Sequence, residues 1–496
     1  MQRVVARCLA VTISAISILC GVAGAQSVTT YHGSVNRSGN YVFPGLTWAD
    51  AAGLHLDPNF TATVDGNIYA QPLYWQDAQN NQRLIVATES NNVYALDAAT
   101  GKIVWQKSLG QPAALSSLPC GDIDPLGITG TPVIDATSGA VYLDAVIDDG
   151  SGAEHYLFGL SLADGSILTG FPINVADALK AAGQTFEPKV QNQRGALLIV
   201  NQTLLVPYGG HFGDCGAYHG WVLGMNLSNP AGALSIWSTR AQGGGIWAPG
   251  GIAYDGTSIY AATGNTFGAS VWSDGEAVFR LGTTLARQKS AHDFFAPADW
   301  KYLDGNDLDL GGTGPVPIDV SDAKGVAEFV LALGKDGRAY LLNRNNLGGI
   351  GGALIARLVS RDAIRTAPAV WAGTDSTLVA FQGRPAANIC RGVANPGLTV
   401  LRIKAHPPRL SIAWCAPLNG RGAPIVTTLA DGSNPIVWIT GAEGDNLLHG
   451  FRGDNGAAVF DGDALTMAGL RHFGTILAAN GRLYVAGDGR IYSFMP

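Results

Sequence analysis

The sequence predicts an all-β protein, an eight-bladed β-propeller of four-stranded antiparallel blades closed by an N-terminal strand. Three observations predict it: a glycine-rich, charge-poor composition, a repeat of about 50 to 66 residues, and a last repeat that stops one strand short. Of 496 residues, 47% are hydrophobic and 14% charged, against about 25% charged in an ordinary soluble domain. Disorder needs the opposite balance. The 66 glycines would each cost about 1 kcal/mol inside a helix, so short strands between tight turns fit better than long helices. The net charge of −7, with no basic run, excludes a nucleic-acid stripe and a grip on anionic lipid.

Residues 1–25 read as a secretory signal peptide. Arg3 and Arg7 form a positive start, an apolar stretch follows from Cys8 to Val22, and Ala23-Gly24-Ala25 is a cleavage signal. The stretch is short for a membrane span, so the chain is expected to be exported, to the periplasm or outside the cell, with no transmembrane segment in the mature form. Removing Arg3 and Arg7 leaves 29 of the 31 basic residues against 38 acidic ones, a mature charge of −9. Four cysteines remain, Cys120, Cys215, Cys390 and Cys415. An even number in an exported chain implies two disulfides with three pairings open. Cys120–Cys215 with Cys390–Cys415 is favoured, because the second closes a local hairpin. No C-x-x-C-H haem site or paired C-x-x-C zinc pattern is present.

The repeat is clearest in its first copy, where Leu73-Tyr74-Trp75, Arg83 to Thr88, Asn92 to Asp97 and Lys102 to Trp105 are β-rich runs separated by turn residues. Its opening x-Pro recurs at Pro72, Pro132, Pro249, Pro315, Pro368 and Pro424, while Gly195-Ala196-Leu197 and Gly474-Thr475-Ile476 keep the strand without proline. Eight starts result. The last unit ends at Pro496 after its third strand, and residues 57–65 have no blade of their own. Placing them as the outer strand of blade eight pairs an open edge and ties the ring shut. Residues 26–56 then form an N-terminal extension and 57–496 a single domain, expected to be monomeric.

The stretch Ala95-Leu96-Asp97-Ala98-Ala99-Thr100-Gly101-Lys102-Ile103-Val104-Trp105 resembles the A-x-D-x-x-T-G-x-x-x-W repeat of pyrroloquinoline-quinone (PQQ) propellers, in which the tryptophan packs between blades. It is eroded elsewhere, although Trp237 and Trp414 fall where the outer strands of blades three and six belong. The resemblance implies the propeller fold and, for the enzymes of that superfamily, three components. These are an aromatic floor for the flat quinone, a Ca²⁺-like ion on carboxylate and amide oxygens, and a carboxylate that takes the alcohol proton. Many members also carry adjacent cysteines bonded over the quinone; this chain has no Cys-Cys pair.

Four loops could serve a site. His211-Phe212-Gly213-Asp214-Cys215-Gly216-Ala217-Tyr218-His219-Gly220-Trp221 crowds polar and aromatic groups together. His211, Asp214, Tyr218 and His219 are its ligand-binding candidates at the funnel mouth; a zinc site there would fit no strong spacing. Trp247, after Gly243-Gly244-Gly245, is the candidate stacking floor, with glycines admitting a ligand to the backbone. Asp304 to Gly312 resembles the D-x-D-x-G-x-x-P entry of PQQ-like repeats, though the twelve-residue calcium loop is absent. Its Asp307 and Asp309, alternating on an extended chain, are candidates for cation or base. Lys335-Asp336-Gly337-Arg338 reads as a hairpin turn. Cys390 to Cys415, with Lys404, His406 and Arg409, reads as an expanded, stapled hairpin in blade six.

The favoured reading is a platform binding a small molecule or protein at the funnel. The eroded repeat, the missing Cys-Cys and the missing haem signature motivate it. The alternative is a PQQ- and Ca²⁺-using alcohol or sugar dehydrogenase acting through Trp247 with Asp307 or Asp309. A funnel-sited lyase using His211, His219 and Tyr218 is a third option.

Overall fold

The computed structural model describes residues 27–286, 290–386, 389–390, 392–462 and 465–496; the expected signal peptide lies outside them. Eight antiparallel sheets follow one another along the chain. Blade one comprises Leu73–Gln76, Gln82–Ala87, Asn92–Asp97 and Ile103–Ser108. Blade eight supplies only Ile476–Ala479, Arg482–Gly487 and Arg490–Met495 of its own. Its outer edge is completed from the N-terminal side: His55 and Leu56 pair with Met495 and Phe494, and Ala62 and Thr63 pair with Ile491 and Arg490. The closing strand is thus real but broken, starting two residues earlier than the sequence suggests and interrupted by the Asp57 turn.

The inter-blade tryptophans behave as the repeat requires. Trp105 Nε1 donates to the Leu162 carbonyl of blade two (2.9 Å), and Trp414 Nε1 to the Gly453 carbonyl of blade seven (3.0 Å). A Cβ on Gly165 or Gly456 would strike Trp105 or Trp414 at 2.6 or 2.5 Å. In these two blades the turn glycine, after Asp164 or Asn455, is the seat on which the preceding blade's tryptophan lies.

The N-terminal extension does more than the sequence suggests. It enters the central channel and bonds to the inner strands of successive blades. Val28 bridges Tyr74 in blade one. Thr29 O accepts from Ile134 N in blade two, Val35 O from Tyr254 N in blade four, and Ser38 O from Val370 N in blade six. Asn40–Val42 adds a parallel strand to Ile425–Thr428 in blade seven. Arg37, 2% exposed and at φ 64°, sits at the centre. It donates to the carbonyls of Ile252 (2.8 Å), Leu197 (2.9 Å) and Tyr31 (3.3 Å), and to Thr30 Oγ1 (2.5 Å). At the tip, Tyr31 packs with Ala196 and Ala367. The segment therefore plugs one end of the channel, leaving the turns before the inner strands as the open, funnel end.

The stapled hairpin of blade six is present: Pro396–Lys404 and Arg409–Pro417 are the blade's own third and fourth strands, and His406 at its tip pairs with Asp322 (3.0 Å). Disulfides join Cys120 to Cys215 and Cys390 to Cys415. Among the described residues no helix is long and apolar enough to cross a membrane.

Candidate functional site

The funnel is built by the turns before each inner strand. Counting three residues back from the opening proline or its equivalent gives Tyr69, Thr129, Arg194, Ile246, Gly312, Arg365, Arg421 and Phe473, one per blade. Backbone pairing supports this register, since Ala423 and Thr475, each one residue before the opening proline or its equivalent, bridge in parallel. The ring is narrow. Trp247 of blade four lies 6.4 Å from Phe473 of blade eight, ring to ring, across the axis. The Arg194 guanidinium of blade three lies 6.0 Å from the same phenylalanine.

The wall formed by blades three to five is acidic. Trp247, half-buried, donates Nε1 to Asp309 Oδ2 (3.0 Å), and Asn265 N donates to Asp309 Oδ1 (3.0 Å). Lys335 Nζ pairs with Asp309 (2.6 Å) and Asp307 (2.7 Å) and lies 5.0 Å from the Trp247 ring. Burial raises the pKa of Asp309, Lys335 opposes that, and Asp307 adds to it. For Lys335 burial works against the charge, yet Asp309 and Asp307 outweigh it and raise the pKa. Asp309 is 3% and Asp307 67% exposed at the side chain, so one is enclosed and the other faces solvent. Neither lies on an extended run: Asp307 has φ 53° and Asp309 precedes a 3-10 turn. The two carboxylates converge through Lys335, not through strand alternation. Behind them Glu276, fully buried, accepts from Leu310 N (2.6 Å), and burial together with Asp309 pushes its pKa well up.

The disulfide-pinned loop approaches the same wall. Asp214 accepts from Tyr218 OH (2.7 Å) and from Asn265 Nδ2 (3.4 Å), so Asp214 and Tyr218 adjoin the Asp309 group. The two histidines of this loop do not. His211 is buried with Nε2 unpartnered, and burial lowers its pKa to about 4, leaving it neutral. His219 turns away to the Thr239 carbonyl (3.1 Å). The described residues contain no cluster of three or more His, Cys, Asp or Glu able to hold a metal ion, so any cation here would need an amide oxygen as well.

Basic groups stand beside this wall, on blade three itself and toward blade eight. Arg194, 16% exposed at the side chain, pairs loosely with Asp122 at 3.8 Å, and Glu89 is a second carboxylate that acts on it. Arg471 stacks over Tyr69 (5.2 Å) and is held by Asp488 (2.6 Å). Below them Glu89, fully buried, accepts from Gly127 N (2.7 Å), while its Oε1 has no partner. Burial raises its pKa to about 7, against the pull of Arg194 and Arg471.

Sequence reasoning missed Asn265, Lys335, Glu89, Glu276 and Arg194. Lys335 does open a hairpin turn, but its amine points to the funnel. The usable signal was register: Arg194 occupies the place that Tyr69 and Phe473 occupy in other repeats.

No protein-family model and no curated protein sequence matches the chain. Solved structures do. The quinohemoprotein alcohol dehydrogenase of Comamonas testosteroni aligns over 95% of this chain and 81% of its own, with TM-score 0.66 and 15% identity. The quinohemoprotein alcohol dehydrogenase ADHIIG of Pseudomonas putida HK5 aligns over 95% and 80%, with TM-score 0.66 and 12% identity. A europium-containing methanol dehydrogenase aligns over 93% and 90%, with TM-score 0.61 and 14% identity. The chain thus shares its eight-bladed propeller fold with these dehydrogenases. At these identities the likeness establishes the fold, and function has to be argued from the site.

Proposed function

We propose that this chain is a quinone-dependent alcohol or sugar dehydrogenase with its site in the funnel. One observation carries the reading: a buried carboxylate, Asp309, accepts from Trp247 Nε1 and from the Asn265 backbone N–H and pairs with Lys335, whose amine also lies beside the Trp247 ring. The residues present fit PQQ with a hard cation. Trp247 offers a flat ring for stacking, and Asp214, Asn265 and Asp307 offer the oxygen ligands that Ca²⁺ prefers. When bound, PQQ with its cation supplies the acceptor for the two electrons lost by the alcohol carbon. The chain's residues do the rest. Asp309, raised toward neutrality by its enclosure, takes the hydroxyl proton as general base. Lys335 orients Asp309 and favours its ionised form. Glu276 limits the charge that the enclosed group can carry.

Export supports the reading, because two disulfides belong to an oxidising compartment; the secreted protein should begin at Gln26. A binding platform is the second reading. It is favoured by Lys335, which already neutralises both candidate carboxylates. A thermal melt of the purified mature protein with PQQ and Ca²⁺ separates them. A binder selective for the folded state raises the melting point, by about 2.7 kcal/mol of stabilisation at a hundred times Kd. Trp247→Ala should abolish the shift. No shift in the wild type removes the dehydrogenase reading and leaves the platform.

A further inference from the structure

A cavity of about 550 Å³ lies at the plugged end, away from the funnel. That volume is inside the range of small-molecule sites, roughly 300–1,000 Å³. The plug frames one side, and the inner strands of blades four, five and six, with the turns beside them, frame the other. From the plug, Ser34, Asn36, Ser38 and Asn40 line it. Local bonds fix this strip: Ser34 Oγ donates to Asn36 Oδ1 (2.7 Å), and Ser38 N donates to Ser34 Oγ (3.2 Å). The Nδ2 amides of Asn36 and Asn40 make no hydrogen bond among the described residues, although their oxygens do. On the blade side, Trp371 lines the cavity. It is 2% exposed, and its indole N–H has no partner among the described residues. An unpaired buried donor costs free energy. Asp319, 62% exposed at the side chain, gives one oxygen to Arg344 (2.6 Å); the other accepts from nothing among the described residues.

This lining selects a ligand class. An anion finds no cation to bind, because Asp319 (2.6 Å), Glu328 (3.5 Å) and Asp255 (3.9 Å) already surround Arg344. A cation would meet amide and indole N–H groups, and Asp255 is spent on Ser258 N (2.7 Å) and Tyr260 OH (2.8 Å). What remains is a set of N–H donors together with a carboxylate oxygen and serine hydroxyls. A ligand hydroxyl is donor and acceptor at once, so it suits both. The half-buried Tyr254 and Val35, 41% exposed, add apolar surface for C–H faces. We propose that this cavity binds a neutral saccharide, with Asn36 and Asn40 donating to its hydroxyls, Asp319 accepting from them, and Trp371 offering its N–H from the wall. The site is separate from the funnel and does not rest on the dehydrogenase reading.

Calorimetric titration of the mature protein, without quinone, against glucose, galactose, maltose and cellobiose reads the site directly. At least one sugar should bind, and glucose 6-phosphate should bind no tighter than glucose. Asn36→Ala should weaken the bound sugar about threefold to tenfold, the scale of one neutral hydrogen bond. Ala372→Trp fills the cavity from an exposed position on its wall and should abolish binding, with an unchanged melting temperature showing that the fold survives. Trp247→Ala, in the funnel, should leave this affinity as it is. Binding of none of the four sugars, tighter binding of glucose 6-phosphate, or binding that survives both Asn36→Ala and Ala372→Trp overturns the site. Binding lost only in Trp247→Ala places the sugar in the funnel and overturns it too. Sugar binding that Ala372→Trp abolishes, without any PQQ-induced melting shift, leaves this site standing and defeats the dehydrogenase reading alone.

Discussion

The two ends of the central channel each hold an arginine, and they hold it in different ways. At the plugged end the buried Arg37 makes four hydrogen bonds, to three carbonyls and a hydroxyl, with no carboxylate bonded to it. Burial lowers its pKa to about 9, yet the charge is held by dipoles already in place. At the funnel end Arg194 is more exposed, 16% at the side chain, and has no hydrogen bond among the described residues, with Asp122 3.8 Å away. A buried cation whose donors are nearly all used is structure. One whose donors reach solvent adds little to folding.

Substitutions should separate the two ends. The largest effect is expected for Arg37→Gln. It strips partners from the Ile252 and Leu197 carbonyls and loosens the plug from blades three and four. A loss of about 3–5 kcal/mol in denaturant unfolding follows, as for breaking other buried charged networks. A loss below about 1 kcal/mol would mean the plug is not held by this residue.

Glu89→Gln comes next and should act only through pH. The unfolded carboxyl releases its proton near 4.5 and the folded one near 7. Between those values the folded state binds more protons, so wild-type stability falls as pH rises through the window and is level above it. Glutamine keeps the shape without the proton. At pH 8 Glu89→Gln should therefore be the more stable protein, by about 1–3 kcal/mol, and at pH 4 the two should coincide. Equal stability at both pH values would show that Glu89 ionises normally.

The smallest effect on folding belongs to Arg194→Gln. A side chain with no bonds to lose should change unfolding by no more than about 0.5 kcal/mol, whatever it does to ligand binding. Destabilisation as large as that of Arg37→Gln would erase the distinction between the two ends.

The ring itself was legible in the sequence, because strand alternation, turn glycines and a missing last strand are local signals that repeat eight times. The tryptophan seats were legible for the same reason. The plug was not. Residues 27–43 carry no repeat, and their partners are backbone carbonyls of distant blades, which leave no mark on side-chain type. At the site, Trp247, Asp307, Asp309, Asp214 and Tyr218 were found from unusual loops, and the structure brings them together. His211 and His219 drew notice by residue type but are turned into local bonds or burial. Lys335, Asn265, Arg194 and Glu89 were hidden because each sits in an ordinary turn. Their significance comes from meeting across the axis, where residues 62 to 279 positions apart become neighbours, as Trp247–Asp309 and Arg194–Phe473 do.

The central claim is that the Trp247–Asp309–Lys335 group performs dehydrogenation. Dye-coupled oxidation by mature protein loaded with PQQ and Ca²⁺, run over neutral alcohols, sugars and hydroxy acids, tests it most directly. The account predicts turnover with at least one class, and a drop of at least a hundredfold in Asp309→Asn with PQQ binding retained. Absence of dye reduction across the whole panel at saturating quinone, or an Asp309→Asn variant as fast as wild type, would contradict it.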